Sequence, residues 1–145
     1  MLNTIHALSK KILQNFQSIS LLLARFIVAY GFLEPALMKW KDIGAVAEWF
    51  GSIGIPFPTL NAYMAASTEL IGVILLTIGF MTRLISIPLM VIMVVAITTV
   101  HLSNGFSAGA NGFEIPLYYM LFLFIFASHG AGKFSLDYHL FEKNK

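Results

Sequence analysis

Four long apolar stretches dominate the chain, and charged residues interrupt them rarely. They cover residues 19–37, 60–81, 84–102 and 115–132. At about 1.5 Å of rise per residue, a helix over each stretch is roughly 27–33 Å long, which matches a hydrocarbon core of about 30 Å. The stretches are continuous, whereas membrane β-strands need about ten residues of alternating character. The pattern therefore predicts an all-α, polytopic membrane protein with four transmembrane helices.

The connectors predict how these helices are arranged. Residues 81–83 form so short a link that the second and third helices must be antiparallel neighbours. Residues 103–112 carry no charge and are rich in Gly, Asn and Ser, which is typical of a flexible outer loop. We therefore expect one membrane domain over residues 1–145, an antiparallel four-helix bundle, with residues 133–145 as a cytoplasmic tail.

The first connector differs because it alternates apolar and acidic residues. The apolar positions are Trp40, Ala45, Val46, Trp49 and Phe50, with Asp42 and Glu48 between them. This pattern predicts a short amphipathic helix on the outer surface, with its tryptophan rings at the level of the lipid headgroups. Gly54, Pro56 and Pro58 then end it, because proline neither continues a helix nor lets the preceding residue stay helical.

The composition agrees with a lipid surrounding and narrows the chemistry. The chain is 58% hydrophobic, 14% aromatic and 11% charged, with a mean hydropathy of +0.81, whereas globular chains carry roughly 25% charged residues. A water-soluble fold, a disordered chain and a nucleic-acid-binding domain are excluded, and membrane lipid is the expected partner. The 145 residues include no cysteine. Thiolate catalysis, iron–sulfur clusters and Cys-ligated zinc are therefore excluded, and redox chemistry would need a bound cofactor or a partner.

Basic residues are unevenly distributed between the two sides of the predicted bundle. The side with the termini holds Lys10, Lys11, Arg83, Lys133, Lys143 and Lys145, and the other side holds Lys39 and Lys41. Since basic residues collect in cytoplasmic segments, this asymmetry predicts that both termini lie in the cytoplasm.

Ionisable residues inside the predicted spans are the first candidates for a site, because each costs about 2.5–3.5 kcal/mol to insert. Glu69 shares a helical stripe with small residues that let a neighbouring helix approach. Arg25 and Lys39 share a stripe on the first helix. We hypothesise that a buried pair of Arg25 and Glu69 ties the first two helices together. The pair either serves only as a structural lock or takes up a proton or a ligand at Glu69.

His101 and Glu114 flank the third connector near the outer face. With Glu69 they predict a carboxylate–imidazole cluster suited to a proton relay, a quinone headgroup, or Cu(II) or Zn(II). The structural alternatives are a hydrogen-bonded helix end for His101 and a helix cap for Glu114. Tyr118, one turn after Glu114, is a further candidate within the bundle. Haem is excluded because His101 and His129 fall at opposite ends of the bundle.

Several short motifs carry a resemblance to a known family. They are Arg25, Gly31 and Lys39 in the first stretch, residues 54–56 (Gly-Ile-Pro), 69–72 (Glu-Leu-Ile-Gly) and 79–83 (Gly-Phe-Met-Thr-Arg), His101, and residues 135–137 (Ser-Leu-Asp). In this order and spacing the chain resembles the DoxX family of small, four-helix bacterial inner-membrane proteins, named for a membrane subunit of a thiosulfate:quinone oxidoreductase. Residues 104–106 and 111–119 are similar to a DoxX-type subgroup associated with maturation of copper-binding modified peptides.

The resemblance implies two kinds of function. One is an accessory membrane subunit of a redox or stress-related system, quinone-linked, that works with a soluble or membrane protein partner. The other is a non-enzymatic carrier of a metal ion or small solute, or a membrane anchor in copper-binding peptide maturation. A scaffold whose polar groups only hold the helices together is a third reading. An accessory subunit is favoured over a self-contained enzyme, and a homo-oligomer is compatible with all three readings.

Overall fold

A computed structural model describes the backbone of residues 2–143 and the side chains of residue 13 and residues 16–143. This part of the chain is helical and contains no β-strand. The main helices are α1 (Leu2–Lys41), α2 (Ile43–Ser52), α3 (Pro58–Ile78), α4 (Thr82–Ala96) and α5 (Glu114–His129). A π-helical turn, Ile97–His101, extends α4, and a second π-helical turn, Tyr138–Glu142, lies near the C-terminus.

Three helical stretches are long and apolar enough to cross a membrane. They are Phe16–Lys41, Pro58–Ile78 and Thr82–Asn104, and α5 is a shorter apolar helix of 16 residues. The predicted all-helical membrane protein is thus confirmed. The side chains of Lys10 and Lys11 and all of Lys145, which enter the predicted charge asymmetry, lie outside the described part of the chain.

The helix ends differ from the predicted spans for local reasons. Helix α1 has 40 residues because neither glycine nor proline precedes Gly31, so nothing stops it before the first predicted span. Helix α3 begins at Pro58, whose fixed φ suits the first turn. It ends at Ile78 rather than 81, because Gly79 adopts a left-handed conformation with φ of 70°.

The packing order defines two ends of the molecule. Helix α1 packs on α3, α3 on α4, and α4 on α5, whereas α1 touches α5 only lightly. The connector end is where α2 and the 102–113 loop lie. The turn end is where the α3–α4 turn and the residues after α5 lie. The core between them consists of apolar side chains, including Val28, Phe32, Leu76, Leu89, Leu123 and Phe126.

The short helix predicted in the first connector is present as α2. The Asp42 carboxylate accepts a hydrogen bond from the Ala45 amide at 3.0 Å and so caps its N-terminus. Ala47 and Phe50 face α3 and pack on Ala62. Helix α2 therefore lies across the connector end of α3.

Candidate functional site

A buried ion pair joins α1 to α3. The Lys39 ammonium donates hydrogen bonds to both carboxylate oxygens of Glu69, at 2.9 and 3.1 Å. The Glu69 side chain is 3% exposed and that of Lys39 is 19% exposed. The two helices approach closely because small buried side chains surround the pair, among them Ala36 and Ala66. Two predicted site residues, Glu69 and Lys39, are thus direct partners.

Arg25 is not part of this pair, and the predicted pairing of Arg25 with Glu69 is wrong. Arg25 is fully buried at the turn end, where its guanidinium donates to the carbonyl oxygens of Leu76, at 3.0 Å, and Phe134. The reason is depth in the bundle. Arg25 precedes Lys39 by fourteen positions on one helix, which is about 21 Å of helical rise. Lys39 lies at the level of Glu69, and Arg25 does not.

A cavity of about 760 Å³ opens beside the ion pair in the connector half of the bundle. Its walls come from α1, α3, α4 and α5, and from α2 with the residues that follow it at the connector end. The apolar lining includes Phe32, Pro35, Trp49, Phe50, Ile53, Met64, Pro88, Val91, Val95 and Ile115. A mostly apolar concavity of this size, with a few polar groups, is typical of a small-molecule site.

The polar groups on the cavity wall are few. They belong to Lys39, Asn61, Thr68, Glu69, Thr99, His101 and Tyr119. The Gly31 carbonyl adds a backbone acceptor, because Pro35, four residues later, has no N–H to donate the usual helical hydrogen bond to it. The site therefore offers an ammonium donor, an amide, hydroxyl groups, an imidazole and a backbone acceptor against apolar surroundings.

His101 lies on this wall at the end of the π-helical turn. Its Nδ1 is 2.8 Å from the carbonyl oxygen of Asn111. A carbonyl only accepts, so Nδ1 carries the proton, and in the neutral ring Nε2 is left as an acceptor. His101 thus ties the end of α4 to the loop, as the structural alternative predicts, and it also shares the cavity with Glu69.

Glu114 and Tyr118 lie outside the cavity. The Glu114 carboxylate accepts from the Ala108 amide at 2.9 Å and from the Tyr118 hydroxyl at 3.1 Å, so it holds the 102–113 loop against α5. Across the described side chains, no three His, Cys, Asp or Glu residues come together as metal ligands. The predicted metal candidates His101, Glu69 and Glu114 therefore do not form one cluster, because the loop occupies the Glu114 carboxylate.

Sequence reasoning missed Tyr119, the neighbour of Tyr118. Tyr119 lines the cavity and packs on Phe32 with ring centroids 5.6 Å apart. It also lies against Gly31, where a Cβ would overlap its ring. Helix α5 is apolar on all sides, so its periodicity does not show which tyrosine faces inward. Gly31 was the available signal, since glycine inside a helix indicates close approach of a neighbour.

The chain matches the DoxX family model over residues 20–102. It is 36% identical over 127 residues to an uncharacterized protein of Haemophilus influenzae, covering 82% of each chain. It is 32% identical over 127 residues to a Bacillus subtilis protein named "Putative oxidoreductase CatD", covering 88% of this chain and 91% of that protein. A second uncharacterized Haemophilus influenzae protein is 31% identical over 135 residues, covering 90% of this chain and 98% of the relative. No solved structure matches the chain.

Proposed function

Because the chain belongs to the DoxX family of membrane proteins, we propose that it binds a lipid-soluble quinone in its cavity as the accessory membrane subunit of a redox system. The observation that carries this proposal is the Lys39–Glu69 pair in the wall of a mostly apolar cavity of about 760 Å³. A relative of similar length is named as an oxidoreductase, which supports the redox assignment.

The residues present fit a quinone ring. A quinone is a flat apolar ring with two carbonyl acceptors, and the cavity offers aromatic and aliphatic walls with donors that include the Lys39 ammonium and the Tyr119 hydroxyl. Lys39 and Glu69 together carry no net charge, so the site favours a neutral ligand over an anion. Phe32 and Phe50 are buried apolar residues on its walls.

Within this role, the chain's own residues bind and orient. A bound quinone supplies a two-electron carrier, whereas Lys39 and Tyr119 hold its oxygens and Glu69 holds the Lys39 ammonium in place. The electrons come from a soluble or membrane protein partner, because this chain has no cysteine to pass them. A chain that binds the quinone while a partner supplies the electrons acts as an accessory subunit.

The same proposal includes a topology in the bacterial inner membrane. Helix α5, about 24 Å long by helical rise, is the fourth span of an antiparallel four-helix bundle with both termini in the cytoplasm. The excess of basic residues at the turn end supports this orientation. The connector end and its cavity then lie in the periplasmic half of the bilayer.

The second candidate function, a non-enzymatic carrier of a small solute, draws on the same cavity. Its polar wall groups, Asn61, Thr68 and His101, favour this reading, since they could bind a polar solute. The two functions differ in the ligand that the cavity prefers. A quinone site prefers an apolar ring with a tail, whereas a solute carrier prefers a small polar molecule.

Tryptophan fluorescence tests the proposal, because Trp49 lines the cavity and quinones quench indole emission. The detergent-purified protein is titrated with decylubiquinone, and we expect saturable quenching that Trp49→Phe largely removes. Loss of one hydrogen bond in Lys39→Met or Tyr119→Phe is expected to weaken binding about tenfold, which corresponds to about 1.4 kcal/mol.

The matched controls are Lys41→Met and Tyr118→Phe, because both residues lie outside the cavity lining. They should bind decylubiquinone as the unchanged protein does. Quenching that never saturates, or that is equal in the cavity variants and their controls, would overturn the proposed function. Tyr119→Phe keeps the test valid if Lys39→Met fails to fold.

A further inference from the structure

We propose that the cavity opens sideways into the bilayer between α3 and α4, and that its ligand enters there and leaves an alkyl or isoprenoid tail in the lipid. This inference rests on the proposed function and adds the access route and the tailed ligand class. We call this opening the lateral mouth and define it by Met64 and Thr68 of α3 with Val91 and Val95 of α4.

The two helices that flank the lateral mouth touch at one end and separate toward the other. They are joined by the turn at Gly79, and they are still in close contact at Gly72, where a Cβ would lie 2.8 Å from a methyl group of Leu89. Closer to the connector end, both helices line the cavity instead. The gap between them therefore widens from the turn end to the connector end.

The residues of the lateral mouth lie along one face of each helix. On α3, Asn61, Thr68 and Gly72 follow helical spacing, and Met64 lies beside them. On α4 and the π-helical turn that extends it, Pro88, Val91, Val95 and Thr99 form the corresponding stripe. Leu89, which meets Gly72 of α3, lies on another face of α4, and Arg83 donates to the carbonyl oxygens of Ala127 and Ser128 of α5. The α4 stripe is distinct from both of these contacts and borders the cavity.

Exposure of the lining residues locates the opening. Met64 is 56% exposed, Val91 57% and Val95 39%, although all three line the cavity. On other walls, Phe32 is 2% and Phe50 8% exposed. A residue that both lines a cavity and remains exposed lies where that cavity meets its surroundings. Pro35 and Ile115 near α5, and Trp49, Gly54 and Pro56 at the connector end, are also exposed lining residues. Tyr119 fills the α1–α5 seam at Gly31, and the connector end is the competing edge of the cavity that a cysteine at Ser52 tests.

The depth of the lateral mouth places it against lipid. Met64 lies six positions into the candidate span Pro58–Ile78, and Val91 lies nine positions into the span Thr82–Asn104. Side chains at such depths of a spanning helix face hydrocarbon. At the connector end, α2 contributes Phe50, which is 8% exposed, and Trp49, which is 45% exposed and whose indole ring suits the level of the lipid headgroups. A ligand that reaches Lys39 and Glu69 through this mouth must partition into the membrane.

The absence of cysteine makes the test direct, because one introduced cysteine is the only reactive thiol. Val91→Cys and Met64→Cys place it in the lateral mouth, Ser52→Cys on α2, Met38→Cys on the α1 face that carries Gly31, and Val94→Cys on α4; positions 52, 38 and 94 lie outside the cavity lining. Each variant is modified with N-cyclohexylmaleimide in proteoliposomes. Stopped-flow quenching of Trp49 by decylubiquinone then gives the binding rate.

We expect the adducts at positions 91 and 64 to slow binding at least tenfold, and those at 52, 94 and 38 to leave the rate unchanged. Unhindered binding with the mouth adducts, or slowing by the adduct at 52 or 38 instead, would overturn the lateral route while saturable quenching still supports the proposed function. Absence of quenching in the unmodified protein would count against the proposed function itself.

A measurement that uses no quinone separates failure of the lateral route from failure of the proposed function. A nitroxide attached at Val91→Cys should collide with dissolved oxygen, which concentrates in lipid, at least several times more often than with a water-soluble nickel complex. Greater access to nickel than to oxygen would place the lateral mouth in water and overturn the inference, whatever the quinone titration gives.

Discussion

At the scale of single residues, the contact between Lys39 and Glu69 explains how two charged side chains lie inside a membrane protein. Each side chain would be costly alone in an apolar medium, and their direct contact neutralises both. Lys39 retains some exposure because its ammonium lies on the cavity wall, whereas Glu69 is almost completely buried. The pair is thus both a link between α1 and α3 and the most polar point of the cavity.

This geometry predicts an asymmetric response to substitution. Lys39→Met leaves a buried carboxylate without its partner and is expected to lower the free energy of unfolding by about 3–5 kcal/mol. The double variant with Glu69→Gln no longer buries an unpaired charge. Its free energy of unfolding should therefore exceed that of Lys39→Met by at least about 1 kcal/mol, the contribution of one hydrogen bond. Unfolding in mixed micelles with rising dodecyl sulfate, followed by far-UV circular dichroism, measures both effects. If Lys39→Met lowers the free energy of unfolding no more than Lys41→Met does, the Lys39–Glu69 pair does not stabilise the bundle.

At the scale of elements, two charged side chains organise the turn end. Arg25 of α1 donates to the Leu76 carbonyl in the last turn of α3. Asp137, which follows α5, accepts from the Met81 and Thr82 amides at 2.7 and 3.0 Å and caps α4. The amide of Asp137 also donates to the Gly79 carbonyl. The C-terminal segment therefore satisfies the helix ends of the α3–α4 turn, which would otherwise be left without partners.

Removal of this cap should loosen the start of α4. Asp137→Ala is expected to lower the free energy of unfolding by about 0.5–2 kcal/mol. Asp137→Asn should lower it less, because the side-chain amide oxygen still accepts one hydrogen bond. Hydrogen exchange should speed up at the Met81 and Thr82 amides. Asp42→Ala is the matched control: it removes the cap of α2 and should speed exchange at Ala45 alone. Unchanged exchange at Met81 and Thr82 in Asp137→Ala would show that the cap carries no stability.

At the scale of the whole molecule, the two ends have different characters. The turn end is tied together by hydrogen bonds from Arg25 and to Asp137 and contributes no residue to the cavity lining. The connector end holds the cavity, the ion pair and α2. This difference between a closed end and an open end agrees with the proposed function, in which the connector end binds the ligand.

The proposed orientation makes a prediction about the two ends in cells. Ser107→Cys, in the loop at the connector end, should react with a membrane-impermeant maleimide in intact cells. Lys133→Cys, after α5, should react only after the membrane is permeabilised. The opposite pattern would reverse the orientation, and reaction of both positions in intact cells would show that α5 does not cross.

Much of the helical layout was predictable from the sequence. Residues in lipid must be apolar and must bond their backbone within one helix, so long apolar runs predict helices directly. Helix α2 was predictable because its apolar and acidic positions alternate around a helix, and the helix stop at Gly79 follows from glycine's access to positive φ. Glu69 was identifiable as a site residue because a charge in an apolar run is unusual, and Lys39 was identifiable because it shares a helical stripe with Arg25.

The pairing of side chains across helices was decided by the tertiary structure alone. Arg25 and Lys39 lie on the same stripe of α1, and only the height at which α1 crosses α3 makes Lys39, not Arg25, the partner of Glu69. Whether Tyr118 or Tyr119 faces the cavity depends on the rotation of α5 about its axis. Because α5 is apolar on all sides, its sequence pattern does not indicate that rotation. Hydrophobicity determines that a helix enters lipid, but depth, rotation and cavity shape arise from contacts between residues far apart in the chain.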